Sequence, residues 1–346
     1  MKKLSILFAA MVAMVATSCV QANVEDVNIA EEGLVTLTVN APSIGSRAIN
    51  DGMGATTLTY AIYDKDWKFI NKEVVENAFD ASLTKEISLR LVKNKEYYFV
   101  FWAQNPSANC YAITLGDVQG EVVVPTIDVT YGGKSNDDTR DAFFGNDHFT
   151  VDGNVNRTVE LTRPFAQINF ATEDTEEALY AGYNVPAAST SFKTYAYTSL
   201  NLADGSVGGL QEVAFTAEVN PEETLVLLDG SKSYDWLAMN YILVPEHEDG
   251  TSLSTCEMTV SLDGQSDITI SYPNAPAKRN WRTNLVGNLL TEQAVIEVVI
   301  KPIPMEEYVA DIKDGLLVST AQDFVAAVAA AEARQAQGER GPCLRC

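Results

Sequence analysis

Tyr97-Tyr98-Phe99-Val100-Phe101-Trp102-Ala103 is apolar or aromatic at every position. Read as a strand, it turns Tyr97, Phe99 and Phe101 to one side and Tyr98, Val100 and Trp102 to the other, so it needs cover on both faces. A run this short, bounded by the turn signal Lys93-Asn94-Lys95-Glu96, suits a central strand better than a buried helix. Trp236-Leu237-Ala238-Met239-Asn240-Tyr241-Ile242-Leu243-Val244 has the same character in the second half of the chain.

Outward from these two stretches, nearly every periodic segment is strand-like. Residues 57–63 alternate, Asp64-Lys65-Asp66 supplies a turn and residues 67–70 return, as in a hairpin. Ile87, Leu89 and Leu91 share one face, opposite Ser88 and Arg90. Residues 121–129 and 158–163 add strands on either side of a polar, acidic loop at 132–147. Phe165-Ala166-Gln167-Ile168-Asn169-Phe170 opens a second copy of the plan, in which residues 192–202 read like 60–70. A short helical patch at 175–181 stops at Gly182. Residues 255–262 and 267–272 form a hairpin around Asp263-Gly264, with Cys256, Met258, Val260 and Leu262 turned inward. Residues 281–290 and 294–300 close the unit, and Pro302 and Pro304 end it.

No helical crossover of useful length links these strands, which points to an all-β chain of two tandem β-sandwiches rather than a barrel or an α/β fold. The expected domains are residues 34–160 and 161–304. In the tail, 305–346, Thr320-Ala321-Gln322-Asp323 fits a capping box, and the alanine-rich run to Gln337 predicts a helix ending at Gly338. Residues 339–346, with Cys343 and Cys346, follow no structural logic and read as a truncated or frameshifted end.

Leu34-Val35-Thr36-Leu37-Thr38-Val39 is the first strand, with Val35, Leu37 and Val39 on its buried face. Strands about a dozen residues further on could pair with it, although the connecting loop is longer than a hairpin needs. Behind it, Asn40-Ala41-Pro42-Ser43-Ile44-Gly45-Ser46-Arg47-Ala48 is longer than a hairpin connection and presents a trypsin-like bond at Arg47-Ala48. Cutting there would free the first strand from the rest and open a groove of unpaired backbone groups that another strand could fill.

The chain begins with a basic Met1-Lys2-Lys3 and an apolar run over residues 4–15 that is short for a membrane span. Small residues then lead into a cysteine, Ala16-Thr17-Ser18-Cys19, like the lipobox of a bacterial lipoprotein signal. Residues 1–18 are thus a signal peptide, Cys19 the lipidated residue and 19–33 a linker; several acyl chains make such an anchor stable. With 47 acidic against 24 basic residues, the net charge of −23 argues against nucleic acid or an anionic lipid face as partner. Cys110 and Cys256 would have to bridge two domains, so both are expected as packed thiols.

Catalytic signals are sparse. His148 and His247 are the only histidines, and the chain carries no nucleophile elbow, P-loop or dinucleotide fingerprint. Asn136-Asp137-Asp138 with Asp141 and Asp147 could hold calcium, yet they lack an EF-hand pattern and read better as a solvated loop. The aromatics around residue 100 read as core rather than as a sugar platform. No cofactor, metal or catalytic residue is expected; a sandwich hydrolase with paired carboxylates ranks last.

Together, Ala16-Thr17-Ser18-Cys19, the first strand with Ser46-Arg47-Ala48, Arg163-Pro164-Phe165-Ala166-Gln167-Ile168-Asn169-Phe170 and Arg279-Asn280-Trp281-Arg282-Thr283-Asn284-Leu285-Val286-Gly287-Asn288-Leu289 resemble the fimbrillin-like lipoproteins of Bacteroidales. The resemblance runs from residue 1 to about 304 and is strongest to a branch carried as a domain of unknown function. It implies two transthyretin-like sandwiches and an outer-membrane, cell-surface location through the lipid on Cys19. It further implies arginine-specific cleavage at Arg47-Ala48, removal of residues 34–39 and assembly with other fimbrillin-like subunits by strand exchange. The helix-like tail departs from pilus-forming members, which use C-terminal strands as donors. The alternative is a monomeric surface lipoprotein that binds a glycan or another host or bacterial ligand.

Overall fold

The computed structural model describes residues 31–42, 54–79, 83–219, 224–226, 233–291, 296–298 and 306–309. The expected signal peptide, Cys19, the Arg47-Ala48 bond and the C-terminal helix lie outside the described residues. The first half supplies β1 (Glu32–Asn40), β2 (Thr57–Asp64), β3 (Phe69–Val75), β4 (Thr84–Val92), β5 (Glu96–Gln104), β6 (Tyr111–Thr114), β7 (Thr126–Val129), β8 (Ala142–Thr150) and β9 (Val155–Glu160). The second half begins with β10 (Phe165–Thr172) and α1 (Thr175–Tyr180), followed by β11 (Ser189–Ala196), β12 (Ser199–Asn201), β13 (Val207–Gly208), β14 (Gln211–Glu218), β15 (Thr224–Val226) and β16 (Ser233–Leu243). It ends with β17 (Thr251–Leu253), β18 (Cys256–Ser261), β19 (Ile268–Ser271), β20 (Ala275–Ala277), β21 (Trp281–Gly287), β22 (Ile296–Val298) and β23 (Glu306–Val309).

The chain is all-β, as its periodicity predicts. In the first half, a sheet of order β4-β1-β9 faces a sheet of order β3-β2-β5-β8. Val35, Leu37, Leu58, Tyr60, Phe99 and Phe101 fill the space between them. In the second half, β15-β16-β10-β21-β22 faces β14-β11-β18-β19 across a core that includes Ile168, Phe170, Phe192, Phe215 and Met258. The inward set Cys256, Met258, Val260 and Leu262 is buried as its alternation requires.

A third core joins the halves. Trp102 and Val100 of β5, Phe144 of β8 and Trp236, Met239 and Tyr241 of β16 share one apolar cluster with Ile127 of β7 and Leu200 of β12. The sheet that supplies β7 and β12 has the order β13-β12-β7-β6, so strands from both halves pair within it, Leu200 opposite Ile127. A register shift between Phe170 and Ala171, which pair with Ala238 and Trp236, leaves Leu237 as the extra residue of a bulge. The bulge resets the alternation, so that Tyr234 and Trp236 before it and Met239, Tyr241 and Leu243 after it all join this shared core.

Four expectations change. β2 alternates less than its sequence suggests, because Leu58, Tyr60 and Ile62 enter the core between the first-half sheets while Ala61 and Tyr63 enter the shared core, and β3 and β5 take both its edges. It therefore cannot pair β1, whose partners are β4 and β9. Residues 132–147 are not loop throughout, because Ala142, Phe143 and Phe144 enter β8 and pair with Gln104, Ala103 and Trp102. In the 121–129 stretch the strand is confined to its end, β7, with β6 beside it and Val122 making a single bridge to Lys68. Beyond Pro304, β23 adds to β21 in parallel, Trp281 opposite Glu306.

Where the halves meet, one arginine is fully buried. Arg163 Nε and Nη2 donate to the two Asp141 carboxylate oxygens at 2.5 and 2.6 Å, and Nη1 donates to Asn280 Oδ1 at 2.7 Å. Its guanidinium carbon lies 4.8 Å from the centre of the Phe143 ring. Desolvation acts to lower the Arg163 pKa, and the Asp141 charge with its hydrogen bonds reverses this, leaving the guanidinium raised and charged. Arg163→Ala strands Asp141 in the interior and is expected to cost about 3–5 kcal/mol, read from the urea-denaturation midpoint. Arg163→Met with Asp141→Leu removes both charges, and its midpoint should recover most of that loss.

Candidate functional site

Of Cys19, the Arg47-Ala48 bond and the first strand, the structure describes the first strand. β1 runs antiparallel to β4 from Glu32 opposite Val92 to Asn40 opposite Thr84. It runs parallel to β9 from Val35 opposite Val155 to Asn40 opposite Glu160. Val35, Leu37 and Val39 are 0% exposed, whereas Leu34 on the other face is 40% exposed. Burying each of the three stabilises the seated strand by about 1.5–3 kcal/mol, and ladders on two sides satisfy its backbone.

Both ends of the seat are fastened by side chains. At the start, Leu34 N donates to Asn154 Oδ1 at 3.1 Å, an acceptor placed by the turn between β8 and β9. At the other end, Asn40 Nδ2 donates to Glu160 Oε1 at 2.7 Å, and Thr84 Oγ1 donates to Asn40 Oδ1 at 3.2 Å. Ala41 N then donates to Leu83 O at 2.8 Å. The alternation of residues 34–39 made the buried face legible. β9 as a parallel neighbour was not, because the pairing joins residues 120 apart and parallel partners leave no hairpin signature. A trace of it stands in Asp152-Gly153-Asn154, a turn signal just ahead of β9.

The acidic residues whose oxygens could hold calcium are divided among other partners. Asp141 holds Arg163, Asp137 accepts from Thr139 and pairs with Arg140, and Asp147 takes a two-pronged contact from Arg157 at 2.8 and 2.9 Å. Among the described residues, no group of three or more metal-ligating side chains gathers. Tyr97, Phe99, Phe101 and Trp102 are buried in the two cores that flank β5 and offer no platform for a sugar. Tyr98 is half-buried, its ring held between Trp67 at 4.8 Å and His148 at 5.1 Å. Cys110 and Cys256 are free and buried, on separate strands or loops of the two halves.

The fold and this seat define a class: an all-β protein of several packed sheets whose first strand is lodged between strands remote in sequence. The chain belongs to a family of unknown function, DUF6562, whose model matches residues 26–327. This agrees with the unknown-function branch that its motifs resemble. None of the curated proteins matches it. Solved structures of similar architecture include a candidate polysaccharide-binding protein from Bacteroides thetaiotaomicron, at 12% identity, TM-score 0.49, covering 76% of this chain and 94% of that one. A fimbrial assembly protein from Parabacteroides distasonis aligns at 14% identity and TM-score 0.42, covering 78% of this chain and 94% of that one. The fimbrial anchor protein Mfa2 from Porphyromonas gingivalis aligns at 13% and 0.43, covering 73% and 90%.

Truncating the middle of the seated strand tests its hold. Leu37→Ala is expected to lose about 2–5 kcal/mol in urea denaturation and to speed amide exchange in β1 and β4 ahead of the second half. Burial pushes both thiols above their usual range, Cys256 furthest. At pH 8 the folded chain should leave Cys110 and Cys256 unalkylated, and unfolding should expose both, as read by peptide mapping.

Proposed function

We propose that this chain is a cell-surface structural or adhesive subunit that assembles with other fimbrillin-like subunits by exchange of its first strand. In this reading lipid on Cys19 anchors it in the outer membrane, and cleavage at Arg47-Ala48 severs residues 34–39 from the body. Residues 34–160 and 161–304 act as its two sandwiches. The observation that carries the proposal is the position of β1: it is the centre of its sheet, flanked on both sides by strands of the body. Among the described residues, the strand next to it in sequence, β2, sits in the facing sheet. Within the body, therefore, covalent continuity between β1 and the rest runs through the tether alone, and losing β1 leaves β4 and β9 with facing unpaired edges.

In this reading the role is structural rather than catalytic. Of the carboxylates that could have held calcium, Asp141, Asp147 and Asp137 are engaged by Arg163, Arg157 and Arg140 and hold the fold.

The amino terminus and mass of the protein recovered from cells test this directly. The anchored precursor is expected to start at lipidated Cys19, and the form found in high-mass assemblies to start at Ala48. Arg47→Ala should hold the chain in the longer form and outside those assemblies. A mature protein that keeps its Cys19 terminus, resists arginine-specific protease and stays monomeric would overturn the reading and favour a monomeric ligand-binding lipoprotein.

A further inference from the structure

The seat of β1 is closed at one end by backbone. Gly33 continues the inward series Gly33, Val35, Leu37 and Val39, so a side chain there would point toward the core. A Cβ on Gly33 would lie 2.1 Å from the Gly153 carbonyl oxygen, 2.8 Å from Val151 Cγ1 and 3.1 Å from the Gly153 carbonyl carbon. Two of these atoms are main chain and cannot rotate away. The turn that carries them is itself pinned from behind: Val151 N donates to Lys95 O at 3.0 Å, and Asn94 N donates to Val151 O at 2.6 Å. Val151 is 0% exposed, so it has no solvent side to retreat into. Opposite this wall, β4 continues the ladder to Glu32, while β9 begins only at Val35, so the turn fills the place where β9 is missing.

We infer that the seat admits only a strand with glycine in the register of Gly33, followed by aliphatic residues at the second, fourth and sixth positions after it. The inference rests on the strand-exchange reading and names the partner it requires. Apolar alternation alone would admit many strands; the inward face of β18, Cys256, Met258, Val260 and Leu262, has it, but Ser254 stands in the glycine position. Of the 21 glycines in the chain, Gly33 alone is followed by aliphatic residues at all three positions. No other segment of this sequence therefore fits in the direction and register of β1. The strand that replaces β1 therefore lies outside residues 1–346, and the chain acts as its acceptor.

The test uses the full body of the protein with a site-specific protease sequence inserted after Gly45, so that nicking does not depend on Arg47. The nicked protein is unfolded, freed of its N-terminal fragment and refolded with fluorescent peptides spanning residues 31–42. The native peptide is expected to bind, and the Gly33→Ala peptide to bind about ten- to a hundredfold more weakly. A Thr36→Ala peptide, altered on the outward face, should bind within about threefold of the native one. Equal binding of the Gly33→Ala and native peptides would overturn the glycine rule. Ladders formed by the nicked protein alone would overturn the exclusion of its remaining segments as donors, whether within one chain or between copies. If the native peptide fails to bind, the exchange reading falls and the partner assignment with it. The glycine rule is then judged in the intact chain, where Gly33→Ala must lower the thermal midpoint and Thr36→Ala must not.

Discussion

A strand that is apolar on both faces has to be shielded from water twice, and β5 imposes that demand on the whole first half. Phe99 and Phe101 are covered by the β4-β1-β9 sheet, whereas Val100 and Trp102 turn away from it. The second cover comes from β7 and β12, one strand from each half, and the same layer meets the shared face of β16. The halves are tied together because two of their sheets need the same lid. Burial of apolar area is non-directional, and the buried Arg163–Asp141 pair adds what it lacks. A guanidinium fork bonded to Asp141 on one side and Asn280 on the other fits a single arrangement of the chain around it.

β1 stands outside that arrangement. Its buried residues contribute to the outer core of the first half and to neither of the other two. It is fastened by ladders and a few terminal side-chain bonds, with a single apolar face. Loss of β1 would therefore take no side chain from the core that joins the halves.

Much of this was legible in the sequence, and the reasons for success and failure are physical. Period-two alternation identified β1, β4 and β18, and continuous apolar character identified β5 and β16 as central strands. β8 escaped because Asn146, Asp147 and His148 make its second half polar where it projects past the shared core. The shared sheet escaped because β6, β7, β12 and β13 have two to four residues each, too short to show a period. For the candidate site, the sequence displayed the strand but not its seat. Partners 120 residues away leave no local mark, and the fit at Gly33 depends on a carbonyl whose position only the folded chain defines.

The parallel pairing of β1 with β9 also orders events in time. For a chain that emerges amino end first, β1 is the first strand made, yet its sheet lacks one neighbour until residues 155–160 have appeared. Through that interval Val35, Leu37 and Val39 belong to an apolar edge without its cover, a state prone to pairing with the wrong strand. Completion of the outermost sheet is then a late step of maturation, and anything that lengthens transit of the intervening residues widens the period during which a chaperone must guard it.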